Sequence, residues 1–297
     1  MMANNPKFNQ EHWFEQITEP ILWHYTSVDV LKNLARPDGQ LYATHSCELT
    51  GDCSELYYGR ELWDETLETF GWPPKDKAHI VPYVENSPCL EAFKKNCFVF
   101  CMTTLGDSKF HWDNYAPKEN GIAIGFATSK LKDRLKQFIT QLPSPKRLNV
   151  IAISSADVFY QAHLDYCVYE SEQAKDYYHE LIHHILADDQ NHDDFILQCL
   201  QLGYIREAVI PFAKRECFDQ EKEIRLFYSG PDLCCRNAAQ LGGKMRVPLF
   251  RCADLIDQVM ISPYGSKDEV FRCLYDFKKE NSLLFSICAS KPFSHSS

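Results

Sequence analysis

The spacing of apolar and polar positions changes several times along the chain, and each change marks an element. Ile21 to Ser27 mixes polar and apolar positions as a strand does, and Ser27 is placed to cap a helix whose apolar positions are Val28, Leu31 and Leu34. Gln40 to Thr44 reads as a short strand. Glu55 to Phe70 repeats apolar residues at helical spacing and stops at Gly71 and the Pro73-Pro74 pair. Cys97 to Thr103 and Ile122 to Phe126 are apolar runs of strand length, so both predict buried strands.

The middle of the chain is different. Val150 to Ser154 and Tyr166 to Tyr169 are strand-like, while Ser171 to Leu186 and Asp193 to Phe212 are strongly helical. Strand patterns return at Ile224 to Tyr228, Met245 to Phe250, Gln258 to Ser262 and Leu283 to Ala289, with a helix from Asp268 to Lys279 among them. This order predicts an α+β fold with a mostly antiparallel β-sheet core and a helical insertion at about 155–212. No repeat or linker divides the chain, so a single domain over 1–297 is expected.

Composition narrows the partners. With 45% hydrophobic and 13% aromatic residues in 297, the chain can bury a sizeable core. Its net charge of -10 makes it a poor general binder of nucleic acid or of an anionic membrane, so a protein partner is favoured over nucleic acid. Lys130, Lys132, Arg134, Lys136, Lys146 and Arg147 form the clearest basic cluster, which reads as a solvated helix surface. Thirteen cysteines are spread through apolar runs without a CxxC pair, the pattern of buried reduced thiols. Met1 to Gln10 lacks an apolar signal core, and no apolar run approaches the length of a membrane span. A cytoplasmic location follows. The small, polar tail from Ser290 to Ser297 also allows translocation into a host or target cell.

Candidate chemistry lies in three segments. His24 and Tyr25 are neighbours on a strand, so they face opposite sides, and a pocket histidine there can hydrogen-bond a ribose hydroxyl or a carboxamide. Thr103 and Thr104 end an apolar strand, where a hydroxyl can fix a carboxylate or a ribose. Trp112 and Tyr115 are three apart and can offer a flat wall to a nicotinamide ring. Gly121 to Phe126 carries small residues where backbone can approach closely. Glu221 and Glu223, read as one strand, put two carboxylates on one face, where mutual repulsion would raise the proton affinity of one of them. Such a pair can hold a ribose 2′-hydroxyl, steady an oxocarbenium-like centre as nicotinamide leaves, and orient a nucleophile.

The order of these motifs, from Trp23-His24-Tyr25-Thr26-Ser27 through Cys101-Met102-Thr103-Thr104, Trp112 to Tyr115 and Gly121 to Phe126, to Glu221-Lys222-Glu223-Ile224-Arg225, resembles a large uncharacterised bacterial family. That family resembles a divergent branch of the ADP-ribosyltransferase superfamily. The resemblance covers roughly residues 20 to 280. It implies an ADP-ribosyltransferase-like split sheet, NAD as co-substrate without a metal, and mono-ADP-ribosyl transfer to a protein side chain, arginine favoured, as in an effector or toxin. It further implies that His24, with Tyr25 and Thr26 beside it, holds the NAD ribose; that Thr103 and Thr104 brace the site; that Trp112 or Tyr115 stacks on nicotinamide; that Glu223 is the catalytic glutamate; and that Glu221 serves the acceptor. The sequence departs from the superfamily pattern at Thr103, where a serine is usual, and at Gly51-Asp52, where Asn-Asp is expected.

Two other readings compete. His179-Glu180-Leu181-Ile182-His183 is a literal H-E-x-x-H, whose histidines share a helix face and would suit a zinc-dependent hydrolase with Glu180 as base. It lacks the metzincin extension, and Glu207 is its one downstream ligand candidate. Tyr177, Tyr178, Ile182 and Ile185 give the same helix an ordinary apolar stripe. The remaining reading is a catalytically inactive NAD-binding or interaction module.

Overall fold

The structure, a computed structural model, describes residues 17–49, 55–71, 97–141, 161–187, 209–229, 239–291 and 293. The strand expected at 150–154 and most of the helix expected at 193–212 lie outside these residues, as do Asp52, Lys146, Arg147 and Glu207. The protein is an α+β fold built on a mostly antiparallel mixed sheet.

Strand β1 (Ile21–Ser27) opens the described chain. Ser27 ends it and accepts a hydrogen bond from the Val30 backbone N–H at 3.4 Å, capping helix α1 (Val28–Leu34), as the sequence predicts. Strand β2 (Gln40–His45) and helix α2 (Glu55–Thr69) follow. Strand β3 (Cys97–Thr103), the short helix α3 (Lys109–Asn114), strand β4 (Gly121–Ala127) and helix α4 (Thr128–Gln141) form the next run. Within the region expected as a helical insertion, Gln161–Tyr166 is a sheet strand, β5, and helix α5 is Ser171–Ala187. The strand pattern placed at 166–169 was thus read a few residues late, and only an isolated bridge from Val168 to Ala213 extends that far. The chain closes with β6 (Glu223–Ser229), β7 (Ala239–Leu241), β8 (Lys244–Arg251), β9 (Ile256–Ile261), α6 (Lys267–Glu280) and β10 (Ser286–Ala289).

Along one path the sheet runs β10-β9-β4-β1-β3-β2-β8-β7, while β6 adds to β3 and β5 adds to β6. The β9–β10 ladder is parallel and the others described are antiparallel. One face carries the main core, where Leu22, Phe98, Phe100, Met102, Ile124, Phe126, Ile224 and Leu226 meet α1, α4 and α6. On the opposite side smaller clusters gather Trp23, Tyr25 and Trp112, and Trp63 of α2 with Tyr178 of α5. Strand alternation explains the division, because successive side chains leave a strand on opposite faces. Gly125 shows why β4 needs small residues. A Cβ there would sit 2.8 Å from the Ile21 side chain and 3.1 Å from the Trp23 ring.

The feature that shapes the site is a fork at β3. Along one edge, β3 pairs with β6 over its full length, from Cys97↔Ser229 to Thr103↔Glu223. The other edge is shared: β1 meets it only at Trp23↔Thr103, and β2 only at Thr44↔Val99 and His45↔Phe98. Between these contacts the two neighbours part, and a cavity occupies the gap.

Candidate functional site

The cavity measures about 260 Å³ among the described residues. Its walls include His24 and Tyr25 of β1, Thr44 of β2, Cys101 and Thr103 of β3, His111 and Tyr115 at α3, Lys214, Glu221, the Glu223 and Arg225 of β6, and Lys244 and Arg246 of β8. Segments about two hundred residues apart in sequence thus meet at the fork.

A buried charge cluster forms its floor. Glu221, Glu223, Lys214 and Arg225 are all less than a tenth exposed. Lys214 Nζ donates to Glu221 Oε2 and, at 2.7 Å, to Glu223 Oε2. Arg225 grips Glu223 through Nε and a terminal nitrogen, both at 3.0 Å, and a second terminal nitrogen donates to the Pro211 carbonyl. Two carboxylates therefore face two cations, the balance that makes buried charge tolerable. Burial alone would raise the Glu223 pKa, but the Arg225 and Lys214 cations outweigh it and hold the carboxyl at about 2. At Glu223, then, the paired cations decide rather than the neighbouring glutamate.

The local backbone is also not the continuous strand expected. Glu221 ends a 3₁₀ turn (Glu216–Glu221), Lys222 adopts the left-handed conformation with φ 41° and ψ 49°, and β6 begins at Glu223. The left-handed residue reverses the local direction, and Lys214 gathers the two carboxylates that strand alternation was expected to align.

Hydroxyl and aromatic groups brace Glu221. Thr103 Oγ1 donates to the Glu221 carbonyl at 2.7 Å and accepts from the Leu105 N–H at 3.2 Å. His111 Nε2 lies 3.1 Å from the same carbonyl, so that nitrogen carries the proton; its buried Nδ1 has no partner among the described residues. Burial brings the His111 pKa down to about 4, so the ring is neutral. Tyr25 stacks on His111 with ring centres 4.9 Å apart, accepts from the Ser108 N–H and donates to the Leu105 carbonyl. Tyr115, 40% exposed, donates its hydroxyl to Glu221 Oε1 at 2.6 Å.

His24 approaches the cavity from the fork. Its Nδ1 lies 2.8 Å from the Cys101 carbonyl, a group that the parting strands leave without a ladder partner on that edge. A carbonyl only accepts, so Nδ1 carries the proton and Nε2 is left as an acceptor. Burial, with a contribution from the charge of Arg246, lowers the His24 pKa and keeps the ring neutral.

The expected residues therefore divide. His24, Tyr25, Thr103, Tyr115, Glu221 and Glu223 line one cavity. Trp112 does not: it is fully buried, donates to Asp107 at 2.8 Å and packs edge-on against Tyr25, so it cannot stack on a cavity ligand. Thr26 and Thr104 are not among the cavity's lining residues; Thr104 is tied instead through its backbone N–H to the Lys222 carbonyl at 3.3 Å. Lys214, Arg225, His111, Lys244 and Arg246 were missed. Alternation would have found Arg225, two residues past Glu223 on the same strand face. Nothing local marks Lys214, which follows an apolar stretch.

The H-E-x-x-H helix lies elsewhere. His183 is exposed, His179 packs on the Phe70 ring, and Tyr178 and Ile182 turn inward against α2. Among the described residues no group of three or more His, Cys, Asp or Glu is placed to hold a metal ion, and no helix is long and apolar enough to cross a membrane. The basic surface of α4 is engaged by the fold: Arg134 pairs with Asp254 at 2.8 Å, and Lys132 donates to the Ile17 carbonyl.

Residues 111–226 match a family described as a protein of unknown function (DUF2971). The matched stretch is less than half of the chain, but it holds His111, Tyr115, Lys214, Glu221, Glu223 and Arg225. Compared with the curated proteins and with the solved structures, the chain matches none.

Proposed function

We propose that the protein is a mono-ADP-ribosyltransferase that cleaves NAD between nicotinamide and ribose and transfers ADP-ribose to a protein side chain, with arginine as the favoured acceptor. The observation that carries this reading is the fork at β3, where two glutamates held by Lys214, a neutral histidine acceptor and a tyrosine line one cavity. An enzyme that loosens an N-glycosidic bond needs fixed negative charge beside the sugar carbon and little water around it. Glu223 meets the first need, since its cations keep it ionised far below neutral pH.

In the proposed reaction the bond between nicotinamide and ribose C1′ breaks, and its electron pair leaves with the nicotinamide nitrogen. The acceptor nitrogen forms the new bond to C1′ and gives up a proton. Glu223 stabilises the positive charge on the sugar. Glu221, held by Tyr115 and Lys214, orients the acceptor and receives its proton. Lys214 is a positioning residue that fixes both carboxylates. His24 Nε2 accepts a hydrogen bond from a ribose hydroxyl, and the Tyr115 ring, the exposed member of the aromatic pair, flanks nicotinamide.

The test is incubation of the purified chain and a whole-cell lysate with NAD labelled on the adenine side, beside Glu223→Gln. Label on a protein band, lost in the variant, is the expected result. Label on nucleic acid would overturn the acceptor assignment. Nicotinamide-releasing activity that is equal in the variant would remove Glu223 from catalysis, and NAD binding without any turnover would favour the inactive binding module.

A further inference from the structure

Two cations in the cavity take no part in the chemistry above. Lys244 and Arg246 are two apart on β8, so they share a face, and Arg246 pairs directly with Thr44 on β2. Lys214 and Arg225 hold carboxylates, but among the described residues no carboxylate is paired with Arg246. Its Nε is buried and has no hydrogen-bond partner among the described residues. A buried guanidinium nitrogen left unpaired costs free energy, and a bound acceptor would recover it.

The register gives this group its place. Trp23, Thr103 and Glu223 lie in one row across the sheet, and Arg246, Thr44 and Val99 lie in another. Thr103 and Val99 are four residues apart on β3, which separates the rows by roughly 13 Å. Arg246 lines the same cavity as His24, Glu221 and Glu223, so both rows open on one space. The cavity therefore has a charge-balanced end, where Glu221 and Glu223 are paired with Lys214 and Arg225, and a cationic end at Lys244 and Arg246. Its ligand is expected to place an anionic group at the cationic end.

We infer that Arg246 and Lys244 form a phosphate subsite that takes the phosphoryl groups of a nucleotide ligand. A guanidinium fork matches phosphate oxygens two at a time, a lysine adds a point charge, and the Thr44 hydroxyl beside them can donate as well. Assigning these phosphoryl groups to the diphosphate of a dinucleotide rests on the NAD reading; the affinity for phosphate does not.

The experiment is calorimetric titration of the full chain with ADP and with adenosine. Wild type is expected to bind ADP at least tenfold more tightly than adenosine. Arg246→Gln and Lys244→Gln are each expected to weaken ADP binding about tenfold, and Arg246→Lys to retain part of it. Lys136→Gln, on the exposed side of α4, is the charge control and should leave ADP binding unchanged. Thermal melting of each variant reports its folding; if Arg246→Gln fails to fold, Arg246→Lys and Lys244→Gln decide. Equal affinity for ADP and adenosine, or ADP binding untouched by these substitutions, overturns the subsite. The two readings fail separately. ADP held through Arg246 with no release of nicotinamide from NAD defeats the transferase and leaves the subsite standing. Nicotinamide release by Arg246→Gln at an unchanged KM does the reverse.

Discussion

Lys214 is the residue on which the site turns, because among the described residues it is the side chain that donates to both the Glu221 and the Glu223 carboxylates. Removing one partner of a buried ion pair leaves charge uncompensated, so Lys214→Met is expected to destabilise the fold by about 3–5 kcal/mol in urea denaturation. Adding Glu221→Gln should restore part of that loss if the cost is electrostatic. Acid reports the same cluster. The folded pKa of Glu223 is depressed to about 2, so its stabilising share is complete above the ordinary glutamate range and is lost as pH falls through about 2. Histidines act earlier. Burial lowers His111 and His163 to about 4, so both stay neutral in the fold while the unfolded chain protonates near 6.5. Their contribution is present above pH 6.5 and fades between 6.5 and about 4. Stability should therefore begin to fall below pH 6.5, and His163→Asn should flatten the upper part of that decline.

At the scale of elements, Lys222 separates a readable stretch from an unreadable one. Its φ of 41° lies where glycine is at ease and β-branched residues are strained. Lys222→Gly should be neutral or stabilising by up to about 1 kcal/mol, whereas Lys222→Val should cost about 1–2 kcal/mol and lower activity by moving Glu221 relative to Glu223. The left-handed turn was invisible in sequence because E-K-E carries no glycine or asparagine to announce it. Elements with strong periodicity were legible: Cys97–Thr103 was read residue for residue, and β1 with its Ser27 cap was anticipated in full. Pairing was not legible. Nothing in Gln161–Tyr166 says that it joins β6, and nothing in β3 says that β1 and β2 share one edge, since register is settled by long-range contacts. Trp112 was misplaced for a related reason: spacing put it beside Tyr115, but its indole is drawn into the core by Asp107.

At the scale of the molecule, the fork links distant segments, and Ser290 and Lys291 are tied into the same region. Asp107 accepts from Trp112, from the Ser290 hydroxyl at 2.6 Å and from the Lys291 N–H at 3.0 Å, so the chain through Lys291 is anchored beside α3. Asp107→Ala should loosen both, with a loss of a few kcal/mol in thermal or chemical melting. The H-E-x-x-H helix packs on α2 away from the fork, so replacing His179 and His183 by alanine should leave NAD cleavage unchanged and remove no metal on elemental analysis. The most direct test of the central claim is release of nicotinamide from NAD by the purified chain, measured beside Glu223→Gln with melting curves for both. Release by the wild type, reduced at least a hundredfold in a variant that melts normally, is the expected result; release that survives the substitution, or none from either protein, would contradict it.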